Sequence, residues 1–456
     1  MGIFDKYASA LGALDPIKFT GNVSKVQGLL VESMGPQAII GELCQILIPK
    51  GRGIVWAEVV GLKGEAVQLM PYDEMEGIEV GNTVIAMGQM LSVPVSERLL
   101  GRTLDAMGRP MDGKGDIGSC AWYSIFGSPP DVLRRKRIRE KIATGIRAID
   151  GLITVGKGQR LGIFSGSGIG KSTLLGMVAR NTSADVNVIA LIGERGREVR
   201  EFIENDLGEE GLKRSVVVVA SSNKPPLSRI RGAYVATAIA EYFRDQGKDV
   251  MLMFDSVTRF ARAQREIGLA IGEPPANRGF TPSVFSQLPK LLERSGTSVR
   301  GSITGFYTIL VEGDDIDEPV SDAVRGILDG HVVLARRLAQ KNHYPAVDVL
   351  QSISRLSLQV TGPRIQECAA AVKRLMATYA EAEDLINVGA YAAGTSAEID
   401  EAVVKMPEIN SFLVQGIREK SNLTETFQKL GAIVNKSIPE EELANEAVSL
   451  QARETA

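Results

Sequence analysis

The run Gly166-Ser167-Gly168-Ile169-Gly170-Lys171-Ser172-Thr173 constrains this chain more than any other eight residues. It follows Leu161-Gly162-Ile163-Phe164, which reads as a buried strand, and precedes Leu174-Leu175-Gly176-Met177-Val178-Ala179, which reads as the first turns of a helix. Strand, glycine-rich turn, Gly-Lys-Ser and helix together describe a phosphate-binding loop. Glycines let the backbone wrap a phosphate with successive N–H groups pointing at it, and the helix N-terminus adds positive potential. Lys171 is placed to bridge the β- and γ-phosphates of ATP, and the Ser172 hydroxyl to ligate Mg²⁺. The generic pattern wants glycine six residues before the lysine; Ser165 stands there, and Gly166 is left to serve the turn.

A phosphate loop alone says only that a nucleotide binds. Hydrolysis needs a metal-side carboxylate, a group that positions the attacking water, and positive charge at the leaving phosphates. Val250-Met251-Leu252-Met253-Phe254-Asp255 is an apolar run ending in a carboxylate, as the Mg²⁺-side acid of such sites requires. Arg259 lies one helical turn further on, within reach of the γ-phosphate. Upstream, Glu194 ends the apparent strand Leu191-Ile192-Gly193, the edge where open α/β sheets place their sites. Two roles suit it on spacing alone: polarising the attacking water, or pairing with Arg195 or Arg197.

At 456 residues the chain exceeds one core and implies two or three domains. Residues 1–16 carry Ile3, Phe4, Tyr7, Leu11 and Leu14 at helical spacing, closed by Asp15-Pro16. Such a helix either caps its own core or docks a partner. Residues 17–95 alternate short apolar runs with Gly, Pro and Asp turns, a small β-barrel or sandwich. A linker rich in Gly, Pro and Asp spans about 100–130. The basic run Arg134-Arg135-Lys136-Arg137-Ile138-Arg139 follows, read as solvated linker charge, with RNA contact the alternative.

From 145 to 345 apolar strands alternate with helical segments, the mark of βαβ units and a mostly parallel sheet, with strands expected at 160–164, 187–192, 215–220, 250–254 and 302–311. The nucleotide domain is placed at 96–361. Residues 362–436 read as helical, and the acidic tail 437–456 as disordered. The fold class is therefore multidomain α/β: barrel, parallel-sheet nucleotide domain, helical C-terminal domain.

A net charge of −3 gives no global field to recruit nucleic acid or acidic lipid. No run of 18 apolar residues is present, and Met1-Gly2-Ile3-Phe4-Asp5-Lys6 lacks a signal-peptide core and a myristoylation hydroxyl, so a cytoplasmic protein is expected. Three scattered cysteines and two histidines, His331 and His343, argue against a disulfide framework, a Cys/His metal site or a His-based triad.

Taken in order, Gly166 to Ser172, Gly193-Glu194-Arg195-Gly196-Arg197-Glu198, Asp255-Ser256-Val257-Thr258-Arg259, Ala263-Gln264-Arg265-Glu266-Ile267-Gly268 and Ser352-Ile353-Ser354-Arg355 form a set. The set resembles the flagellar and type III secretion export ATPases, relatives of the catalytic subunits of rotary ATP synthases, from about residue 20 to 435. Gly272-Glu273-Pro274-Pro275 and Gly313-Asp314-Asp315 add to the likeness.

The resemblance implies a RecA-like central domain and a Mg²⁺-dependent ATPase. It assigns Lys171 and residues 166–173 to the phosphates, Ser172 and Asp255 to Mg²⁺, Glu194 to the attacking water with Arg195 beside it, and Arg259 to the γ-phosphate region. Arg355 is implied to be an arginine finger reaching a neighbouring subunit's site, and Tyr344 to pack on the adenine side. The family tolerates a small residue at Ser165.

Also implied are a homohexamer, a stator-like regulator on the N-terminal helix, a central-stalk protein, export chaperones and their substrates, and a membrane export gate at the inner face of the cell membrane; no nucleic acid is expected. A rotary-synthase catalytic subunit is the weaker reading, because Ile399-Asp400-Glu401-Ala402-Val403-Val404-Lys405 lacks a dense acidic cluster. An RNA translocase is weaker still, because the barrel offers Trp56 and Tyr72 among the acids Glu58, Glu65, Asp73, Glu74 and Glu76. Flagellar use is favoured over injectisome use, though both share every motif named.

Overall fold

A computed structural model of the protein describes residues 18–49, 53–311 and 318–443. The amphipathic segment at 1–16 and Gly313-Asp314-Asp315 lie outside these residues.

Six antiparallel strands close a barrel: β1 (Thr20–Gln27), β2 (Leu30–Met34), β3 (Glu42–Ile48), β4 (Gly53–Lys63), β5 (Ala66–Pro71) and β6 (Thr83–Met90), in the order β1-β2-β5-β4-β3-β6. Period-2 alternation sends Val31, Cys44, Ile46, Ala57, Val59, Leu69 and Val84 inward, where they form a core of their own. β7 (Ser92–Val95) leaves the barrel and pairs instead with β9 (Ala121–Ser124).

The stretch 100–130, expected as a linker, also supplies β8 (Arg102–Leu104), which joins the edge of the central sheet beside β12 (Ser215–Ala220). A bidentate Arg102–Asp112 pair, 2.7 and 3.0 Å, holds the loop that places it. Only long-range pairing makes these three residues a strand.

The central sheet adds β10 (Arg160–Ser165), β11 (Val186–Ile192), β13 (Asp249–Asp255), β14 (Gly296–Thr297), β15 (Ser302–Leu310), β16 (Gly330–Leu334) and β17 (Val347–Ser354). Its order is β17-β16-β10-β15-β13-β11-β12-β8, parallel except for β17; β14 pairs antiparallel to β15 off this path. The inner strands are buried on both faces, which explains apolar runs such as Val216-Val217-Val218-Val219 in β12 and Val250-Met251-Leu252-Met253-Phe254 in β13. Around the sheet lie α1 (Lys171–Asn181), α2 (Pro226–Asp245) and α3 (Val257–Ala270). Three helices then form the C-terminal layer: α4 (Pro363–Asn387), α5 (Ala397–Leu413) and α6 (Leu423–Ile433). Their core, with Ile409, Phe412, Phe427 and Leu430, is continuous with that of the nucleotide domain. No helix among the described residues is long and apolar enough to cross a membrane.

The acidic tail does not begin where composition places it. Ile438 and Leu443 are each 8% exposed, and the Glu442 carboxylate accepts from the backbone N–H groups of Arg364 and Ile365, at 3.1 and 3.0 Å. It thereby caps α4, whose first N–H groups have no partner inside the helix. Buried Lys141 donates to the Glu442 carbonyl at 2.8 Å. Residues 437–443 are therefore part of the packed protein.

Barrel and nucleotide domain are joined by a buried ion pair. Glu58, 1% exposed on β4, accepts from Arg231 of α2 (Nε to Oε2 2.8 Å, with Nη2 on Oε1) and from the Tyr72 hydroxyl at 2.6 Å. The guanidinium also lies over the rings of Phe126 and Tyr234, 4.9 and 5.6 Å from their centroids. Glu58→Ala leaves that cation buried without its counter-charge and is expected to cost about 3–5 kcal/mol, read as a lower urea midpoint. A loss within the roughly 0.5 kcal/mol of a neutral surface substitution would show that the pair does not hold the two units together.

Candidate functional site

The phosphate loop forms as its sequence requires. β10 ends at Ser165, the chain turns through residues 166–170, and α1 starts at Lys171. Gly168 and Gly170 adopt φ of +77° and +92°, left-handed values that a side chain disfavours. Ile169, 2% exposed, anchors the turn in the core, while Ser167 and Gly168 face solvent. Thr173 bonds the Asp206 carboxylate and so ties the helix start to its neighbour. With Gly166, Ser172 and the helix N-terminus, this is a concave anion site.

Two carboxylates converge on it from neighbouring strand ends. Asp255 closes β13 and Glu194 stands two residues beyond β11, both at the C-terminal edge of the sheet. The Lys171 ammonium lies on Asp255 Oδ1 and 3.4 Å from Glu194 Oε1. Asp255 also accepts from the Thr308 hydroxyl at 2.7 Å, and Glu194 from Arg259 Nη2 at 3.2 Å. Arg259 further donates to the Gly193 carbonyl, which fixes the turn carrying Glu194. Asp255 and Glu194 are 3% and 7% exposed.

Burial pushes the Glu194 carboxyl up to about 7 from an ordinary 4.5, with Lys171 opposing and Asp255 reinforcing the rise. Burial would lower Lys171, but Asp255 and Glu194 outweigh it and hold the ammonium above its ordinary value. Two buried carboxylates already gathering one cation, with the Ser172 hydroxyl at the adjacent helix start, make a hard-oxygen donor set that fits Mg²⁺.

The remaining sequence candidates divide. Tyr344 lies beside the loop: a Cβ on Gly170 would sit 3.6 Å from its ring. Arg195, expected at the site next to Glu194, instead faces solvent, its side chain 69% exposed and 3.5 Å from Glu198. Its backbone is extended, φ −71° and ψ 141°, so it points opposite to Glu194.

Arg355 lies at the other end of the sheet. β17 runs antiparallel to β16, Ser354 pairs with Gly330, and β16 runs in register with β10, Gly162 opposite His331. That register sets Arg355 level with the start of β10, while the phosphate loop leaves its far end. Five residues of strand, roughly 16 Å, separate the two before the loop is counted. Arg355 is exposed, and its Nη2 reaches the Arg325 carbonyl at 3.4 Å.

Comparison with known proteins follows the same three parts. Residues 23–88 match the ATP synthase alpha/beta family, beta-barrel domain, and 145–354 the nucleotide-binding domain of that family. Residues 361–432 match the T3SS EscN ATPase C-terminal domain. This last match separates export ATPases from rotary synthase subunits. The Flagellum-specific ATP synthase of Treponema pallidum is 57% identical over 434 residues, 95% of this chain and 97% of its own. The Type 3 secretion system ATPase of Xanthomonas euvesicatoria is 50% identical over 415 residues, 91% and 94% respectively. The assembled ATPase EscN of enteropathogenic E. coli superposes with a TM-score of 0.86 at 44% identity, over 91% of this chain and 100% of EscN. EscN in complex with its central stalk EscO gives 0.84.

The chain belongs to the flagellar and type III secretion export ATPases. It is an ATP hydrolase that energises type III protein export.

Several residues of this ATPase's site escape a linear reading. Thr308 fixes Asp255 from β15. Gln415, 3% exposed, donates its backbone N–H to the Tyr344 carbonyl at 2.9 Å and its amide to the Gly145 carbonyl at 2.8 Å. The Ile417 carbonyl accepts from Arg180 of α1 at 2.7 Å. The C-terminal layer thus reaches the Tyr344 side of the loop, and nothing local in its sequence signals that.

The displaced titration of Glu194 has a measurable sign. Between pH 4.5 and about 7 the folded ATPase keeps a proton that the unfolded chain has released, so this group's contribution to stability falls as pH rises through that window. Asp150 is raised in the same direction, to about 6, but is common to wild type and variant. The Tm difference between Glu194→Gln and wild type, without added nucleotide, is therefore expected to shift in the variant's favour as pH rises. A difference constant across the window would remove the raised Glu194 carboxyl.

Proposed function

We propose that the export ATPase hydrolyses MgATP in pockets shared between copies, each pocket built by the loop and carboxylates of one protomer and completed by Arg355 of the next. The observation that carries this reading is the placement of Arg355 opposite its own phosphate loop. A guanidinium there is out of reach of its own γ-phosphate and free to serve a neighbour's.

Within one pocket, residues 166–173 cradle the phosphates and Lys171 bridges the β- and γ-groups. Asp255 and Ser172 would hold Mg²⁺, which when bound neutralises charge at the phosphates. Glu194 takes a proton from the attacking water. As Lys171 turns to phosphate, Glu194 loses part of the charge that lowers its proton affinity, and its basicity rises. Arg259 orients Glu194 and reaches the γ-phosphate region, and Tyr344 packs on adenine. Arg195 retains no contact that supports a catalytic role.

The assembly we propose is a homohexamer with a central stalk, as the assembled EscN and its EscO complex suggest by likeness. Val388, just past the end of α4, and Val404 on α5, 77% and 74% exposed, give that layer apolar surface for a stalk. Hydrolysis then releases substrates from export chaperones and unfolds them for a membrane gate. The ring works at the inner face of the cell membrane, with a stator-like regulator on residues 1–16. Flagellar export is favoured by the 57% identity to a flagellum-specific relative. The 50% identity to the Xanthomonas enzyme keeps injectisome export as the second reading. Rescue of motility in a flagellar ATPase deletion, against rescue of secretion in an injectisome deletion, separates them.

Glu194→Gln is expected to bind ATP normally and lose about 10²–10⁴ in turnover; near-normal turnover would remove the base. Arg355→Ala is expected to lose about 10³–10⁵ in turnover with nucleotide binding intact. Mixing Arg355→Ala with Lys171→Ala tests the sharing directly. Neither variant hydrolyses alone, yet mixed assemblies contain pockets with an intact lysine and an intact neighbouring arginine. Activity should therefore reappear on mixing, and a mixture as inactive as its components would refute the shared pocket.

A further inference from the structure

An apolar groove runs along the flank of the barrel where it meets the β7–β9 ribbon. Leu91, Met107 and Ile117 form a buried floor; Trp56, Met90 and Trp122 form the walls of a cavity of about 700 Å³. Trp122 is 67% exposed and Met90 38%. Large apolar side chains lining one open groove mark a surface that something covers.

Strand register indicates what. β1 runs antiparallel to β6, Thr20 opposite Ile85, and the Ala86 N–H donates to the Phe19 carbonyl at 3.1 Å. In an antiparallel pair one chain moves back as the other moves forward. Traced backwards from Thr20 to Phe19, the chain therefore points toward the end of β6 that carries Gln89 and Met90, which line the groove. The residues before Phe19 include the segment carrying Ile3, Phe4, Tyr7, Leu11 and Leu14 on one helical face. As a helix, Ile3 to Leu14 spans about 17 Å and needs an apolar partner along one stripe.

We propose that residues 1–16 dock as an amphipathic helix into this groove of their own chain, with Phe4, Tyr7 and Leu11 covering Trp122 and Met90. A segment tethered this closely acts at an effective concentration on the order of millimolar, so it outcompetes the same segment of a second copy. Its apolar face cannot meet the groove and a partner protein at once. Docking therefore sets a threshold that any regulator of this segment must exceed, independently of the ATPase chemistry.

Trp56 and Trp122 are the two tryptophans of the chain, and both line the groove, so indole fluorescence reports on this place alone. The comparison is between the full chain, the chain lacking residues 1–16, and Phe4→Asp/Leu11→Asp. Both altered chains are expected to emit at longer wavelength and to be quenched more strongly by acrylamide. A synthetic peptide of residues 1–16, added to the truncated chain, should reverse both changes. Equal emission and quenching in all three chains would overturn the proposal. So would a change that the peptide does not reverse, which would report altered folding. Protection in the full chain that fades on dilution would assign the groove to a neighbour's segment and overturn it equally.

Discussion

The site rests on one electrostatic constraint: two carboxylates at adjacent strand ends, both nearly removed from water, share a single ammonium. Each ion alone would lose several kcal/mol of hydration on burial. Lys171 between Asp255 and Glu194, with Thr308 and Arg259 behind them, offsets that loss and fixes both acids at the mouth of the loop. The balance is incomplete at Glu194, whose carboxyl remains raised. In the proposed mechanism that raised carboxyl suits proton transfer from water.

The fold delivers these groups because parallel strands all end on one edge. The loop after β10, Glu194 after β11 and Asp255 at the end of β13 belong to separate βαβ units, yet the sheet sets them side by side. The other domains attach through buried charge as well as apolar contact. Glu58 and Arg231 tie the barrel to α2, and Glu442 caps α4 while Lys141 holds the Glu442 carbonyl. Gln415 links the C-terminal helices to the Tyr344 segment and to Gly145 by hydrogen bonds.

Much of this was legible in the sequence. β11, β12 and β13 are buried on both faces, so their apolar runs gave bounds within a residue or so. The strand, turn and helix around Lys171 and the strand that ends at Asp255 declare themselves because their patterns are local. Edge elements do not. β17 intersperses Asp348, Gln351 and Ser352 with its apolar residues, and β8 is a strand only because β12 lies beside it. Arg195 faces away from Glu194 because side-chain direction reverses along extended backbone, which sequence adjacency does not show. Thr308 and Gln415 were invisible because the chain brings them in from distant segments. The acid-rich run at 440–442 suggested solvation, but one of its members is buried as a helix cap.

The gap between Arg355 and the phosphate loop of the same chain also bears on how copies can join. A contact that uses different faces on its two sides runs head to tail. If pockets are shared as proposed, a row left open wastes both extremities, a cradle lacking its guanidinium at one and a guanidinium lacking its cradle at the other. Only a row that bites its own tail leaves nothing idle. On that proposal incomplete intermediates are penalised in output, and the last protomer to arrive brings two pockets into service at once.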